Sequence, residues 1–144
     1  MKVIVTGAAQ GIGRAIALKI AKDYQGAKLL LTDLNQVSLD AVANEVRELG
    51  SEAYVKAGDL TDPTFIEGLS AEISNLGGLD AVASNAGIAL HSPLLNLSLE
   101  MWEKNFALHV RAPWLLAKAC HAALKASQGA FIITASVSGT HPTP

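Results

Sequence analysis

The strongest constraint on the fold is a repeated switch between short apolar runs and stretches with helical periodicity. Apolar runs of strand length recur along the 144 residues, and segments with apolar residues every three or four positions separate them. Short strands that are apolar throughout are typical of a parallel sheet covered by helices on both faces. The predicted strands cover residues 2–6, 28–32, 52–57, 80–84 and 130–135.

Capping residues mark the ends of the intervening helices. Gly50 is placed as the C-cap of the second helix, and Asp62 and Pro63 open the third helix as its N-cap and first helical residue. Ser98 caps a long fourth helix, and Gly77 follows the third. The helical segments cover residues 12–20, 37–49, 63–76 and about 99–127.

These elements predict a doubly wound α/β fold of the Rossmann type. Right-handed crossovers give a parallel sheet with strand order 3-2-1-4-5 and helices on both faces. The order reverses between the first and fourth strands, and ligands of such sheets bind at the carboxyl ends of the strands at that reversal. We expect residues 1–144 to form one domain, incomplete at its C-terminal end.

Composition narrows the classes of function. Half of the residues are hydrophobic and 17% are charged, which is typical of a globular protein. The net charge of -2 gives no electrostatic footprint for nucleic acid or an anionic membrane, so neither is an expected partner. The apolar runs are too short to span a bilayer, and no signal-peptide pattern precedes the first strand. We therefore expect a cytoplasmic protein, with the single cysteine, Cys120, buried in a helix.

A glycine-rich loop joins the first strand to the first helix. The glycines follow a G-x-x-x-G-x-G spacing, which permits a tight turn and the close approach of a pyrophosphate to the helix N-terminus. The loop reads Thr6-Gly7-Ala8-Ala9-Gln10-Gly11-Ile12-Gly13. It resembles the T-G-x-x-x-G-x-G motif of the short-chain dehydrogenase/reductase family at every fixed position, and the rest of the chain is similar to that family in order, from residue 1 to residue 144.

The resemblance implies an oxidoreductase that transfers a hydride between a nicotinamide and an alcohol or ketone. Asp33, followed by Leu34, ends the second strand, where a carboxylate can accept hydrogen bonds from the adenosine ribose diol and repel the 2′-phosphate of NADP. Gln10 occupies a position where NADP-dependent members often carry a basic residue. Both residues favour NAD over NADP, although Asp33 could simply cap the following turn.

Two further segments complete the implied nucleotide site. Asp59 and Leu60 close the third strand and resemble the family's adenine-contacting pair, while an Asx turn is the alternative, compatible role of Asp59. After the fourth strand, Asn85, Ala86 and Gly87 resemble the family's N-N-A-G motif, with Ser84 in place of its first asparagine. Asn85 is expected to brace the end of the sheet, and the two small residues to let the cofactor pass close to the backbone.

Two residues are implied for catalysis. Ser136, in an S-x-x-G match after the fifth strand, is expected to hydrogen-bond the substrate oxygen, whereas Ser138 is excluded by spacing. His109 stands where the family has a supporting asparagine. Because Pro113, four residues later, has no N–H, we expect the His109 carbonyl to be free for a water. A serine hydroxyl without chemistry and a histidine that fills a helix bend are the alternatives.

The family's Tyr-x-x-x-Lys motif lies about a dozen residues beyond its serine, whereas this sequence runs to Pro144. Its tyrosines, Tyr24 and Tyr54, lie on the wrong elements, so we interpret the sequence as part of a longer enzyme. A non-catalytic nucleotide-binding module and a split enzyme completed by another chain are the alternatives. We also expect an apolar edge on the fifth strand, a homo-oligomer in the complete protein, and no metal at His91, His121 or His141.

Overall fold

The computed structural model describes residues 1–89 and 92–140, with the backbone alone at Ser138. Its sheet has five parallel strands in the order β3-β2-β1-β4-β5. The predicted doubly wound fold and strand order are therefore confirmed. The strands are β1 (Lys2–Thr6), β2 (Lys28–Asp33), β3 (Glu52–Ala57), β4 (Ala81–Ser84) and β5 (Ala130–Ile133).

The helices begin and end close to the predicted capping residues. The Asp62 carboxylate accepts a hydrogen bond from the Thr64 N–H at 2.9 Å, and the Ser98 hydroxyl accepts one from the Met101 N–H at 3.2 Å. Gly50, at φ +82°, ends the second helix in the left-handed region. The helices are α1 (Gly11–Asp23), α2 (Gln36–Glu48), α3 (Pro63–Leu76), α4 (Leu99–Phe106) and α5 (Ala112–Ser127).

The long fourth helix is not a continuous α-helix, contrary to the prediction. A π-helical turn, Ala107–Arg111, separates α4 from α5, and within it the Ala112 N–H donates to the carbonyl of Ala107, five residues earlier. Pro113 gives the physical reason. In a regular α-helix its ring would clash with the carbonyl of His109, and it has no N–H to donate. The wider π turn separates these two groups.

The sheet separates two apolar cores, because neighbouring side chains of a strand point to opposite faces. Val3 and Val5 of β1 pack with residues of α1 and α2 on one face. Ile4 packs with α3 and α5 on the other, where Cys120 is fully buried as predicted. Within the described ranges, no helix is long and apolar enough to cross a membrane.

Two strands are shorter than predicted. β4 begins at Ala81, and Asp80 just before it accepts a hydrogen bond from the Lys2 N–H through its carboxylate at 2.8 Å. β5 ends at Ile133, and the chain then enters a 3-10 turn at Val137–Gly139. Ile132 and Ile133 are 59% and 55% exposed, which confirms the predicted apolar edge.

Candidate nucleotide-binding site

A cleft of about 500 Å³ lies at the carboxyl ends of the strands. It opens beside β1 and β4, where the strand order reverses, which is where doubly wound sheets bind ligands. The loops after all five strands, together with α4 and the π turn, supply its walls. The lining residues are Gly7, Gln10, Ile12, Asp33, Leu34, Gly58, Asp59, Leu60, Thr61, Asn85, Ala86, Gly87, Ile88, Lys104, Leu108 and Thr134.

The glycine loop is packed too closely for side chains at two of its positions. A Cβ on Gly13 would lie 2.0 Å from the carbonyl oxygen of Gly7. Gly7 has φ +63°, and a Cβ there would lie 2.9 Å from the Cα of Ala86. The Gln10 side chain makes no capping hydrogen bond in the described part of the chain, and the first turn of α1 carries no acidic residue. The N-terminus of α1 is thus open to an anion.

Asp33 faces the cleft and organises the backbone around it. Its Oδ1 accepts hydrogen bonds from the N–H groups of Leu34 (2.8 Å) and Asn35 (3.3 Å). Its Oδ2 accepts from the Ala9 N–H of the glycine loop at 3.0 Å. The turn-capping role and the position in the cleft wall therefore coexist, since each carboxylate oxygen can accept more than one hydrogen bond.

The wall after β3 is held by an Asx turn and by a long-range contact. Asp59 accepts a hydrogen bond from the Thr61 N–H at 2.8 Å, so the turn proposed for it is present. Leu60 is buried and anchors the segment in the core on the α3 side of the sheet. The guanidinium of Arg111, in the π turn, donates to the Thr61 carbonyl at 3.0 Å. This wall is therefore fixed from both β3 and the helix opposite.

Asn85 braces the ends of two strands, as predicted. Its backbone N–H donates to the hydroxyl of Thr6 at 2.9 Å, and its Nδ2 donates to the Thr6 carbonyl at 3.3 Å. The Ala86 N–H also donates to the Thr6 hydroxyl, at 3.0 Å. These bonds hold the loops after β1 and β4 together across the point where the strand order reverses.

His109 lies in the π turn and contacts the loop after β4. Its Nε2 is 2.9 Å from the carbonyl oxygen of Ile88 and 3.3 Å from the Ile88 nitrogen. The shorter contact is that of an imidazole N–H donating to the carbonyl. A Cβ on Gly87 would lie 2.9 Å from Cε1 of this ring, so a larger residue there would displace the imidazole. His109 thus touches the cleft wall from behind.

Ser136 is exposed and directly precedes the 3-10 turn, where its carbonyl accepts a hydrogen bond from the Gly139 N–H at 3.1 Å. Neither Ser136 nor His109 lines the cleft, but each lies next to a part of its wall. Thr134 is two residues before Ser136, and Ile88 is bonded to His109. Each candidate catalytic residue is therefore adjacent to one lining residue of the cleft, Ser136 through the chain and His109 through a hydrogen bond.

The cleft is lined by all residues predicted to bind a cofactor except Thr6, Gly11 and Gly13. Thr6 accepts a hydrogen bond from Asn85, and the two glycines lie in the turn of the glycine loop. The cleft also includes residues that the sequence did not single out. These are Gly58, Thr61, Ile88, Lys104, Leu108 and Thr134. No local pattern signalled this set, because Lys104 lies on α4, Leu108 lies in the π turn that follows it, and Thr134 follows β5.

Charged groups near the cleft are distributed unevenly. Arg14 on α1 is held by Glu45 of α2 through two hydrogen bonds, and this carboxylate raises the pKa of the guanidinium above its usual value. Its positive charge is therefore matched at the helix surface. Lys104 of α4 lines the cleft. Asp33 and Asp59 place carboxylates on the wall that follows β2 and β3.

The described ranges contain no cluster of three or more His, Cys, Asp or Glu side chains that could hold a metal ion. His121 is exposed on α5, whereas His91 and His141 lie outside the described residues. Burial raises the pKa of the Cys120 thiol to about 11, so this sulfur is protonated and poorly nucleophilic near neutral pH.

Together the fold and the cleft define an α/β protein with a dinucleotide-type binding site. The family model described as short chain dehydrogenase matches residues 1–144, and the chain belongs to this family. A short-chain dehydrogenase/reductase of Hericium erinaceus, eriH, is 38% identical over 118 residues, which are 80% of this chain and 47% of the relative. An uncharacterized oxidoreductase of Staphylococcus epidermidis is 34% identical over 142 residues, which are 97% of this chain and 60% of the relative.

Solved structures agree with this assignment. An alcohol dehydrogenase from the archaeon Thermococcus sibiricus, complexed with 5-hydroxy-NADP, superimposes with a TM-score of 0.93 at 29% identity, covering 99% of this chain and 61% of that one. A metagenomic short-chain oxidoreductase in complex with NADP gives a TM-score of 0.91 at 32% identity, covering 99% of this chain and 65% of that one. The chain therefore spans about half to two thirds of the length of these relatives.

Proposed function

We propose that this chain forms the nucleotide-binding part of an NAD-dependent short-chain dehydrogenase, which transfers a hydride between a nicotinamide and an alcohol or ketone. The observation that carries the proposal is the placement of the Asp33 carboxylate in a cleft that also contains the glycine loop. A ribose diol and a pyrophosphate need these two groups side by side.

The residues present fit a dinucleotide. Gly7 and Gly13 leave no room for a Cβ, and the first turn of α1 offers N–H groups to a pyrophosphate. Asp33 would accept hydrogen bonds from the adenosine ribose, and Asp59 with Leu60 would flank the adenine. When bound, the nicotinamide supplies the hydride donor or acceptor.

A preference for NAD over NADP follows from the charges around Asp33. A 2′-phosphate on the ribose would be placed against this carboxylate, and like charges repel strongly at short range. The neighbouring cleft residues Gln10 and Leu34 are uncharged, and Arg14 is bonded to Glu45. The two solved relatives named above carry NADP-type ligands, so a direct comparison of NADH with NADPH binding is the test of this preference.

We further propose roles for the two residues beside the cleft. Ser136 would donate a hydrogen bond to the oxygen of the substrate and so stabilise charge that develops there. His109 would hold the Ile88 peptide through Nε2 and leave its backbone carbonyl for a water of the proton relay. The tyrosine and lysine that the family uses would complete this site in the whole enzyme.

Nucleotide titration tests the proposal. NADH binding is followed by fluorescence for the unmodified protein, for Asp33→Ala and for Asp40→Ala, an exposed carboxylate on α2 that serves as the control. We expect saturable NADH binding that is at least about tenfold tighter than NADPH binding, equivalent to about 1.4 kcal/mol. Asp33→Ala should reduce the ratio of the two affinities, whereas Asp40→Ala should leave it unchanged. Equal affinities in the unmodified protein would contradict the proposed NAD preference.

A homo-oligomer of the complete protein is also part of the proposal. Large apolar side chains lie exposed along the α4–α5 segment, and Trp102 stacks on Phe106 with ring centroids 4.5 Å apart. Val110 and Trp114 continue this surface, which we call the aromatic stripe, beside a groove of about 320 Å³. Exposed apolar patches of this kind are typical of subunit interfaces.

Sedimentation velocity tests the aromatic stripe. We expect Trp114→Asp to weaken self-association at least about tenfold, because a charge would be buried in an apolar contact. Val37→Asp on α2, where the valine is 80% exposed, is the matched control and should have no effect. A Trp114→Asp protein that associates as strongly as the unmodified one would rule out this surface.

The cytoplasmic location expected from the sequence stays a prediction.

A further inference from the structure

Thr134 occupies a position at the end of β5 that the proposed chemistry does not use. Its backbone N–H donates to the Ser84 carbonyl at 3.0 Å, which continues the pairing of β5 with β4. Its hydroxyl donates to the Oδ1 of Asn85 at 3.0 Å. It lines the cleft and lies two residues before Ser136. Thr134 therefore belongs to the segment that carries Ser136, and its side chain contacts Asn85, the residue that braces the end of β1.

The carboxamide of Asn85 is held at both ends. Its oxygen accepts from the Thr134 hydroxyl, and its nitrogen donates to the Thr6 carbonyl. If the amide rotated by half a turn, its oxygen would face the carbonyl oxygen of Thr6, and two acceptors would oppose each other. The Thr134 hydroxyl thus helps to fix which way the amide points.

The position of this amide matters for the glycine loop. A Cβ on Gly13 would lie 2.8 Å from the Nδ2 of Asn85, and a Cβ on Gly7 would lie 3.2 Å from the same atom. The amide nitrogen therefore lies directly against both glycines. A change in its orientation would be felt at the turn that receives the pyrophosphate.

We propose that Thr134 is a positioning residue, whose hydroxyl holds the Asn85 carboxamide and thereby couples the glycine loop to the segment that carries Ser136. The hydrogen bonds run from Thr6 through Asn85 to Thr134, across the ends of β1, β4 and β5. The inference rests on the proposed nucleotide site, since it names a residue that shapes that site without touching the reacting atoms.

Thr134→Val is the direct test, because valine keeps the shape of threonine and removes the hydroxyl. The Oδ1 of Asn85 then loses the protein donor that fixes the orientation of its carboxamide at this exposed contact. We expect NADH binding to weaken about five- to tenfold. Thr134→Ser should restore binding, since serine keeps the hydroxyl. Thr64→Val, an exposed threonine at the start of α3, is the control and should bind NADH normally.

Two readouts separate coupling through Asn85 from a general loss of order. The side-chain amide signals of Asn85 in ¹H–¹⁵N spectra should shift in Thr134→Val, together with the backbone signals of Gly7 and Gly13. In an Asn85→Ala background, Thr134→Val should have no further effect on NADH binding, as expected for residues that act through one contact. Full additivity of the two substitutions, or unchanged signals at the glycines, would overturn the proposal.

These outcomes distinguish the inference from the proposed function. If the unmodified protein binds neither NADH nor NADPH, the proposed function fails. The Asn85, Gly7 and Gly13 signals then still decide whether Thr134 couples the two loops.

Discussion

The two edges of the sheet differ in how they meet solvent. At the β3 edge, the exposed side is polar: Glu52 accepts a hydrogen bond from the Tyr54 hydroxyl at 2.8 Å and pairs with Lys28 at 3.2 Å. At the β5 edge, Ile132 and Ile133 are more than half exposed. Charged edges resist pairing with other strands, whereas apolar ones invite it. The sheet edge on the Asp33 side is therefore polar, whereas the edge near Ser136 presents an apolar surface suited to further contacts.

The largest expected difference between the two sides of the sheet is in the free energy of unfolding, when one strand side chain on each side is shortened to alanine. Leu29 of β2 is fully buried, so Leu29→Ala should lower the free energy of unfolding by about 3–4 kcal/mol through lost apolar burial and a cavity. Ile132 of β5 is 59% exposed, so Ile132→Ala should cost less than about 1 kcal/mol. Urea unfolding followed by circular dichroism measures both values. Equal losses would mean that the β5 edge is covered in solution.

A similar contrast is expected for glycines on the two sides. Gly13→Ala would force a Cβ to within 2.0 Å of the Gly7 carbonyl, so we expect a loss of about 3 kcal/mol in stability and a loss of NADH binding. Gly139, in the turn after Ser136, has open space around its Cβ position. Gly139→Ala should therefore change stability by no more than about 0.5 kcal/mol. Normal NADH binding by Gly13→Ala would show that the loop can move aside.

The buried strand β2 also contains a polar group whose effect on stability can be tested. The hydroxyl of Thr32 in β2 is buried and has no hydrogen-bond partner in the described part of the chain. Thr32→Val replaces it with a methyl group of similar size and should raise the free energy of unfolding by about 1 kcal/mol. A loss of stability in the same urea experiment would indicate that the hydroxyl has a partner in solution, such as a bound water. Thr64→Val, an exposed control, should be neutral.

The comparison explains what the sequence could predict. Periodicity and the right-handed crossover rule were enough to predict the strand order. Local capping residues predicted the helix starts at Asp62 and Ser98. The positions of Asp33 and Asp59 at strand ends predicted that they line the cleft. The cleft also includes Lys104, Leu108 and Thr134, because elements distant in sequence come together there. No local sequence pattern predicts that tertiary contact. The π turn depends on how Pro113 is accommodated against His109, which the sequence signalled only as a bend.

The smallest expected effect lies at the β3 edge and depends on pH. The hydrogen bonds from Tyr54 and Lys28 lower the pKa of Glu52, so they stabilise the fold while this carboxyl is ionised. A group with a lowered pKa contributes stability above its unfolded pKa and loses it as the pH falls through its folded pKa. Tyr54→Phe should therefore cause a slight loss of stability at pH 7 that is smaller at pH 3, where more of the carboxyl is protonated. Urea midpoints at the two pH values test this, and a loss that persists undiminished at pH 3 would assign the effect to packing of the ring. Because the pair is exposed, the contribution at pH 7 should also shrink at high salt, in contrast to the salt-independent cost of Leu29→Ala.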